Sequence, residues 1–263
     1  MIPLRDENPS GTFPVVTLAL IAANVLAFVY EVSHGLDSVI GTYGLVPASV
    51  WSLGGTTVSL SATADITAEV AAEAIAGAVA RAPLSPLHFV TAMFLHGGIM
   101  HIVGNMWFLW LFGDNIEDRL GHVGFAVFYF VCGFGASAAH VFFMGPTSVG
   151  AFIPMVGASG AIAGVLGAYF ICFPRAKVLT IVPIFFILFL RLPAFFFLLV
   201  WLLVQVSGVL SPDGAGIAWW AHIGGFALGA ALALVWPKCK RSRQTGYEAK
   251  PDVWRAKRRG MLE

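Results

Sequence analysis

Long apolar runs decide most of what this chain can become. Stretches approaching the ~20 residues a membrane helix needs recur at 13–32, 97–113, 123–144, 159–173, 193–210 and 217–236. Another apolar piece, 178–190, is cut off from the fifth run by Arg191 and Pro193 and reads as interfacial or re-entrant. Of the 263 residues 58% are hydrophobic and 11% charged, whereas a soluble domain carries about a quarter charged. Too little polar surface remains to coat a water-soluble globule. The expected fold class is all-α: a polytopic membrane protein built as a bundle of six transmembrane helices.

Charge sets the expected orientation. From Lys238 to Glu263 there are nine Lys/Arg against three Asp/Glu, so 237–263 is read as a basic cytoplasmic tail. That tail reports topology rather than a nucleic-acid partner. Arg175 and Lys177 in "PRAK", between the fourth and fifth runs, belong on the same side. Six spans then place both termini in the cytoplasm, residues 1–12 forming a polar N-terminal segment and 13–236 the membrane domain. "GDNIEDRLGH" (113–122) becomes an inner loop. The connections 33–95, 145–157 and 211–216 face outward, and the first is long, extracytoplasmic or interfacial, with an Ala/Thr-rich centre. The N-terminus lacks the composition of a transit peptide, so the first run is read as a retained span in a bacterial-type cytoplasmic membrane. Cys132, Cys172 and Cys239 show no disulfide or metal spacing.

Within this frame a few polar side chains stand out, because polar groups in lipid are costly. His101 and Asn105, four apart, share one face of the second run. Ser159 opens the fourth run, and His222 lies early in the sixth. All three runs enter from outside. At ~1.5 Å rise per residue, His101, Ser159 and His222 therefore reach one level, in roughly the outer third of the bilayer. His140 and His122 are read as ordinary packing and loop histidines.

Small residues supply a way to bring the serine and histidine together. Ala163 and Gly167 follow Ser159 on one face, and Gly225 and Gly229 follow His222. Two such faces let helix backbones approach closely. A serine hydroxyl beside a neutral imidazole is an activated nucleophile. No carboxylate is expected at that depth: Asp114 lies thirteen residues below His101, ~20 Å along a helix. The expected site is thus a dyad, Ser159 as nucleophile and His222 as general base and acid, with the histidine oriented by packing. His101, Asn105 and the Ser159 N–H become donors for a developing oxyanion.

These residues resemble the rhomboid family of intramembrane serine proteases. "HGGIMHIVGN" (96–105), "GASG" (157–160) and "AHIGGFALG" (221–229) carry the likeness, in order and in separate runs. The family's H-x-x-x-N falls on His101 and Asn105, its G-x-S-G serine on Ser159 and its A-H-x-G-G histidine on His222. "NIEDRLG" looks like its E-x-R loop, giving Glu117 and Arg119, and Gly157, Gly160, Gly225 and Gly229 become structural supports. The resemblance implies hydrolysis of transmembrane protein substrates in or near the bilayer, without cofactor or metal. It also implies gating by residues 193–210 and a cap formed by 145–157. One departure is Ala163, where many members carry an aromatic that supports the histidine ring. The alternatives are a catalytically inactive relative that binds membrane clients, which would normally lack the serine or histidine, and a proton or solute carrier. The carrier is disfavoured by the absence of mid-depth carboxylates and of repeats. A metal site built on His96, His101 and His222 has no H-E-x-x-H and no nearby carboxylate.

Overall fold

The structure, a computed structural model, describes residues 1–53, 85–145, 148–183, 187–211 and 216–236. The centre of the long connection and the basic tail lie outside the described residues. In chain order the elements are strand β1 (Ile2–Asp6) and helices α1 (Val15–His34), α2 (Leu36–Tyr43), α3 (Pro47–Leu53), α4 (His88–Thr91), α5 (Ile99–Leu120) and α6 (His122–Met144). A 3-10 turn (Val149–Phe152), α7 (Ser159–Cys172), strands β2 (Lys177–Pro183) and β3 (Ile187–Pro193), α8 (Ala194–Leu210) and α9 (Trp219–Val235) follow.

Helix α7 is the hub. It is apolar on every side, and each residue from Gly160 to Tyr169 is buried, as a helix surrounded by others must be. Its glycines let neighbouring backbones touch it. Gly160 faces Ala136 of α6 and Ala221 of α9, and Gly164 faces Cys132 of α6. A Cβ on Gly225 or Gly229 of α9 would strike the carbonyl oxygens of Gly160 and Gly164, and one on Gly167 would strike the carbonyl of Phe226. The contact row on α7 is therefore Gly160, Gly164 and Gly167. The expected row through Ser159 and Ala163 shares only Gly167 with it. One residue is ~100° of helix rotation, so the serine looks past the contact rather than into it.

Helices α1 and α6 are long and apolar enough to cross a membrane, and α7, α8 and α9 are shorter apolar helices. Outward faces stay apolar: Val25, Leu26 and Val29 on α1, and Leu203, Val204 and Val206 on α8, are all exposed. Helix α8 is the least embedded of the apolar helices after α1. Beyond Leu198, Gln205 is its one fully buried residue.

Two expectations need correction. The stretch 113–120 is not a loop, because α5 continues to Leu120 and ends at Gly121, whose φ of 74° suits glycine. Charges mark where a chain leaves lipid, and a helix can outlast that point. The fold is also not purely helical. The described parts of 178–190 are strands, β2 pairing antiparallel with β3, Thr180 opposite Leu190, and β1 pairs with β2, Ile2 opposite Ile181, giving the sheet order β1-β2-β3. A continuous apolar run does not reveal its period, whereas its Val, Ile, Phe and Thr content favours strand.

The end of the bundle opposite Ser159 is fastened by buried polar groups. Glu117, fully buried in the last turns of α5, accepts from the backbone N–H of Val16 (2.8 Å) and Thr17 (2.7 Å), from Thr17 Oγ1 (2.7 Å) and from His122 Nδ1 (2.6 Å). It thereby caps the free N-terminus of α1 from another helix. Arg119, half-buried, sits in the same turn of α5, where a cation suits the helix dipole. Asp6 accepts from Tyr169 Oη (2.6 Å) and Asn115 Nδ2 (2.9 Å), tying β1 to α7 and α5. Burial pushes the Asp6 carboxyl up to about 6 against the pull of these donors.

At the serine end, short helices α2–α4 form an outer layer. Leu45 and Met155 exchange backbone hydrogen bonds of 3.1 and 2.7 Å, and Gly157 N–H donates to Ala92 O at 2.8 Å. The segment leading into Ser159 is thus held before α7 begins.

Candidate active site

Four helices contribute side chains to one cavity of about 1010 Å³ at this end of the bundle. His101 and Asn105 come from α5, Ser159 from the first turn of α7, Trp201 and Gln205 from α8, and His222 from α9. Residues of 148–156 form another part of the wall.

Ser159 Oγ lies 2.8 Å from His222 Nε2, a hydrogen-bond distance between side chains 63 positions apart. Close packing of α7 against α9 sets that distance: Gly225 is one turn from His222 and rests on the carbonyl of Gly160, next to Ser159. A neutral imidazole so placed can take the hydroxyl proton as the oxygen attacks, and later return it to a leaving group.

On the other side of the serine stands His101. Its Nδ1 accepts from Gly97 N–H at 3.2 Å, so in the neutral ring Nε2 carries the hydrogen. A Cβ built on Gly157 would sit 2.8 Å from His101 Nε2 and 3.5 Å from Ser159 Oγ. A donor and the hydroxyl therefore flank one small open spot. Gly157 keeps it open, and its φ of 124° excludes other residues on backbone grounds as well. The Ser159 N–H, at the first position of α7, has no intrahelical acceptor. Asn105 lies buried on the cavity wall with one amide hydrogen donated to His101 O at 3.0 Å, leaving the other for the cavity.

Further residues belong to this picture. Gln205 Oε1 is 2.8 Å from His222 Nδ1, so the histidine is oriented by a hydrogen bond as well as by packing. Trp201 and Trp219 also flank the ring, with centroids 6.0 and 6.2 Å away, supplying the aromatic support that Ala163 lacks. A lone amide in an apolar helix was a readable signal, since burying one in lipid is costly. Glu31 is a carboxylate near this depth after all. It is fully buried and accepts from His96 N–H at 3.0 and 3.2 Å, and the His96 ring meets His101 edge-on at 5.1 Å. Marking the end of a span hid it. His140, read from sequence as plain packing, is buried on the cavity wall with Nδ1 unpartnered.

Fold and cavity together define a helical integral membrane protein with a serine–histidine pair between its helices. The chain belongs to the rhomboid family, whose Rhomboid domain matches residues 83–239. RHOMBOID-like protein 6, mitochondrial, of Arabidopsis thaliana is 30% identical over 169 residues, 61% of this chain and 50% of that protein. Rhomboid protein 1, mitochondrial, of Saccharomyces cerevisiae is 32% identical over 98 residues, 37% of this chain and 28% of its own length. The human presenilin-associated rhomboid-like protein, mitochondrial, is 33% identical over 93 residues, 35% of this chain and 24% of its own. The chain thus spans half or less of the length of these relatives.

Proposed function

We propose that this chain is an intramembrane serine endopeptidase that hydrolyses peptide bonds in or near transmembrane segments of protein substrates. The observation that carries the reading is the 2.8 Å contact between Ser159 Oγ and His222 Nε2 on the wall of a largely apolar cavity that His101 and Asn105 also line. Ser159 is the nucleophile and His222 the general base, then acid. His101 Nε2–H and the Ser159 N–H receive the oxyanion, with the spare hydrogen of Asn105 as a third donor. Gly157, Gly160, Gly225 and Gly229 set the distances, and Glu117 and Arg119 hold the far end.

The domain reading is a six-span unit over 13–236, with α1, α5, α6, α7, α8 and α9 as the spans, flanked by 1–12 and by the tail 237–263. The clustering of Lys and Arg in the tail and at Arg175 and Lys177 argues that the far end faces the cytoplasm and the cavity opens outward. Relatives carry mitochondrial names, so orientation is argued from charge and not from a bacterial-type membrane.

The test uses purified protein in detergent and a transmembrane substrate in liposomes. A fluorophosphonate should label the wild type and not Ser159→Ala, and Ser159→Ala should not cleave while melting at nearly the wild-type temperature. Wild-type protein that neither labels nor cleaves would assign the chain to inactive relatives that bind membrane clients.

A further inference from the structure

Helix α8 carries one polar side chain into the bundle, and that side chain reaches the imidazole. Gln205 is 6% exposed amid Leu202, Leu203, Val204 and Val206. Its amide nitrogen donates to Trp201 O one turn back, at 3.0 Å, which commits the amide's two ends. The atom facing His222 is therefore the oxygen, an acceptor only, 2.8 Å from Nδ1. An acceptor there requires hydrogen on Nδ1. In a neutral ring Nε2 is then bare, and Nε2 is the atom 2.8 Å from the serine hydroxyl. The serine proton has one acceptor to go to.

We infer that Gln205 is a positioning residue for the reaction: it fixes the tautomer and direction of His222 from a third helix, as the neutral counterpart of a triad carboxylate. This rests on the protease reading above. As the serine proton moves to Nε2 the ring becomes an imidazolium. The Nδ1–H···O contact then becomes charge-assisted and strengthens while the transition state forms. A neutral amide does this without a buried negative charge, whose desolvation would be costly here. The same contact joins the base to α8, whose outer face is exposed at Leu203, Val204 and Val206, so any outward movement of α8 withdraws the acceptor from His222.

Gln205→Met removes the acceptor at similar volume in an apolar setting. The expected result is a fall in kcat of roughly ten- to a hundred-fold, by analogy with metal-bound histidines that lose their hydrogen-bonding partner. KM and melting temperature should be nearly unchanged. The acid limb of kcat should move to lower pH, because the imidazolium loses its acceptor. Gln205→Glu keeps an acceptor on Nδ1 and should retain more turnover, with the limb moved to higher pH. Wild-type kcat and limb in Gln205→Met, or equal losses without limb movement in both variants, would overturn the inference. Nitrogen-15 histidine spectra give a readout independent of cleavage. His222, assigned with His222→Gln, should show a protonated Nδ1 in the wild type and a mixed tautomer in Gln205→Met. An unchanged signal would refute the role of Gln205. A wild type that neither cleaves nor labels, yet shows the expected spectra, would refute the protease reading alone.

Discussion

Gly225→Ala adds one carbon at the closest approach of two helices. Its Cβ would strike the carbonyl oxygen of Gly160, with the Cβ of Ala136 3.3 Å away on the other side. Backbone oxygen cannot rotate aside as a side-chain tip can, so α9 itself must yield. Overpacking of this kind typically costs about 1–3 kcal/mol, a loss that a bundle of this size survives. The effect on chemistry should be larger in proportion. His222 is one turn from Gly225, and its 2.8 Å contact with Ser159 has little slack before it ceases to be a hydrogen bond. A misplacement of about 1 Å can cost on the order of a hundred-fold in rate. The assay pairs melting in detergent with fluorophosphonate labelling and cleavage on the same preparation. Gly41→Ala is the control, since nothing lies within 4 Å of a Cβ there, and it should melt no lower than the wild type. Wild-type labelling by a fully folded Gly225→Ala protein would refute the claim that α7–α9 contact sets the serine–histidine distance.

Two other predictions concern the opposite end. Glu117→Ala leaves the Val16 and Thr17 donors buried without an acceptor, so stability should fall by about 2–4 kcal/mol on typical unsatisfied-donor costs, with Glu117→Gln losing less; thermal melts with urea titration check this. For Asp6 the folded carboxyl holds its proton up to about 6, against 3.8 ordinarily. Its contribution is therefore complete below pH 3.8 and is lost as pH rises through about 6. Asp6→Asn should flatten the fall in melting temperature between those values, and an unchanged slope would show that Asp6 does not titrate there.

The site was legible where depth and helix spacing carried information. His101, Ser159 and His222 could be placed at one level by counting rise along three helices. Gly225 and Gly229 could be placed under the histidine by the helical repeat. Gln205 was not legible that way. No spacing rule links a residue on α8 to one seventeen positions later on α9, and only the packing of the two helices brings them together. Glu31 and His140 were passed over because each sits near the end of an apolar run, where a polar residue reads as a boundary. The pairing of β2 and β3 was obscured by their own hydrophobicity. The charged last turns of α5 read as a loop in the sequence, because charge marks where a chain leaves lipid and not where a helix ends.

The strand pairing also has a consequence for the order in which the protein is made. β1 is synthesised early, but Tyr169, which holds Asp6, comes 163 positions later, and β2 follows after that. At ~5–20 residues per second of synthesis, β1 waits roughly ten to thirty seconds for its partner while α1, α5 and α6 are being delivered. During that time it is an unpaired edge, the kind of segment that finds the wrong neighbour. Pro3, Arg5 and Asp6 interrupt that edge with a missing donor and with charge, and Glu7 adds another just beyond it. The same groups find partners once the bundle is complete, Asp6 with Tyr169 and Asn115 and Glu7 with Arg191, so what keeps the early strand from pairing wrongly also fastens it late.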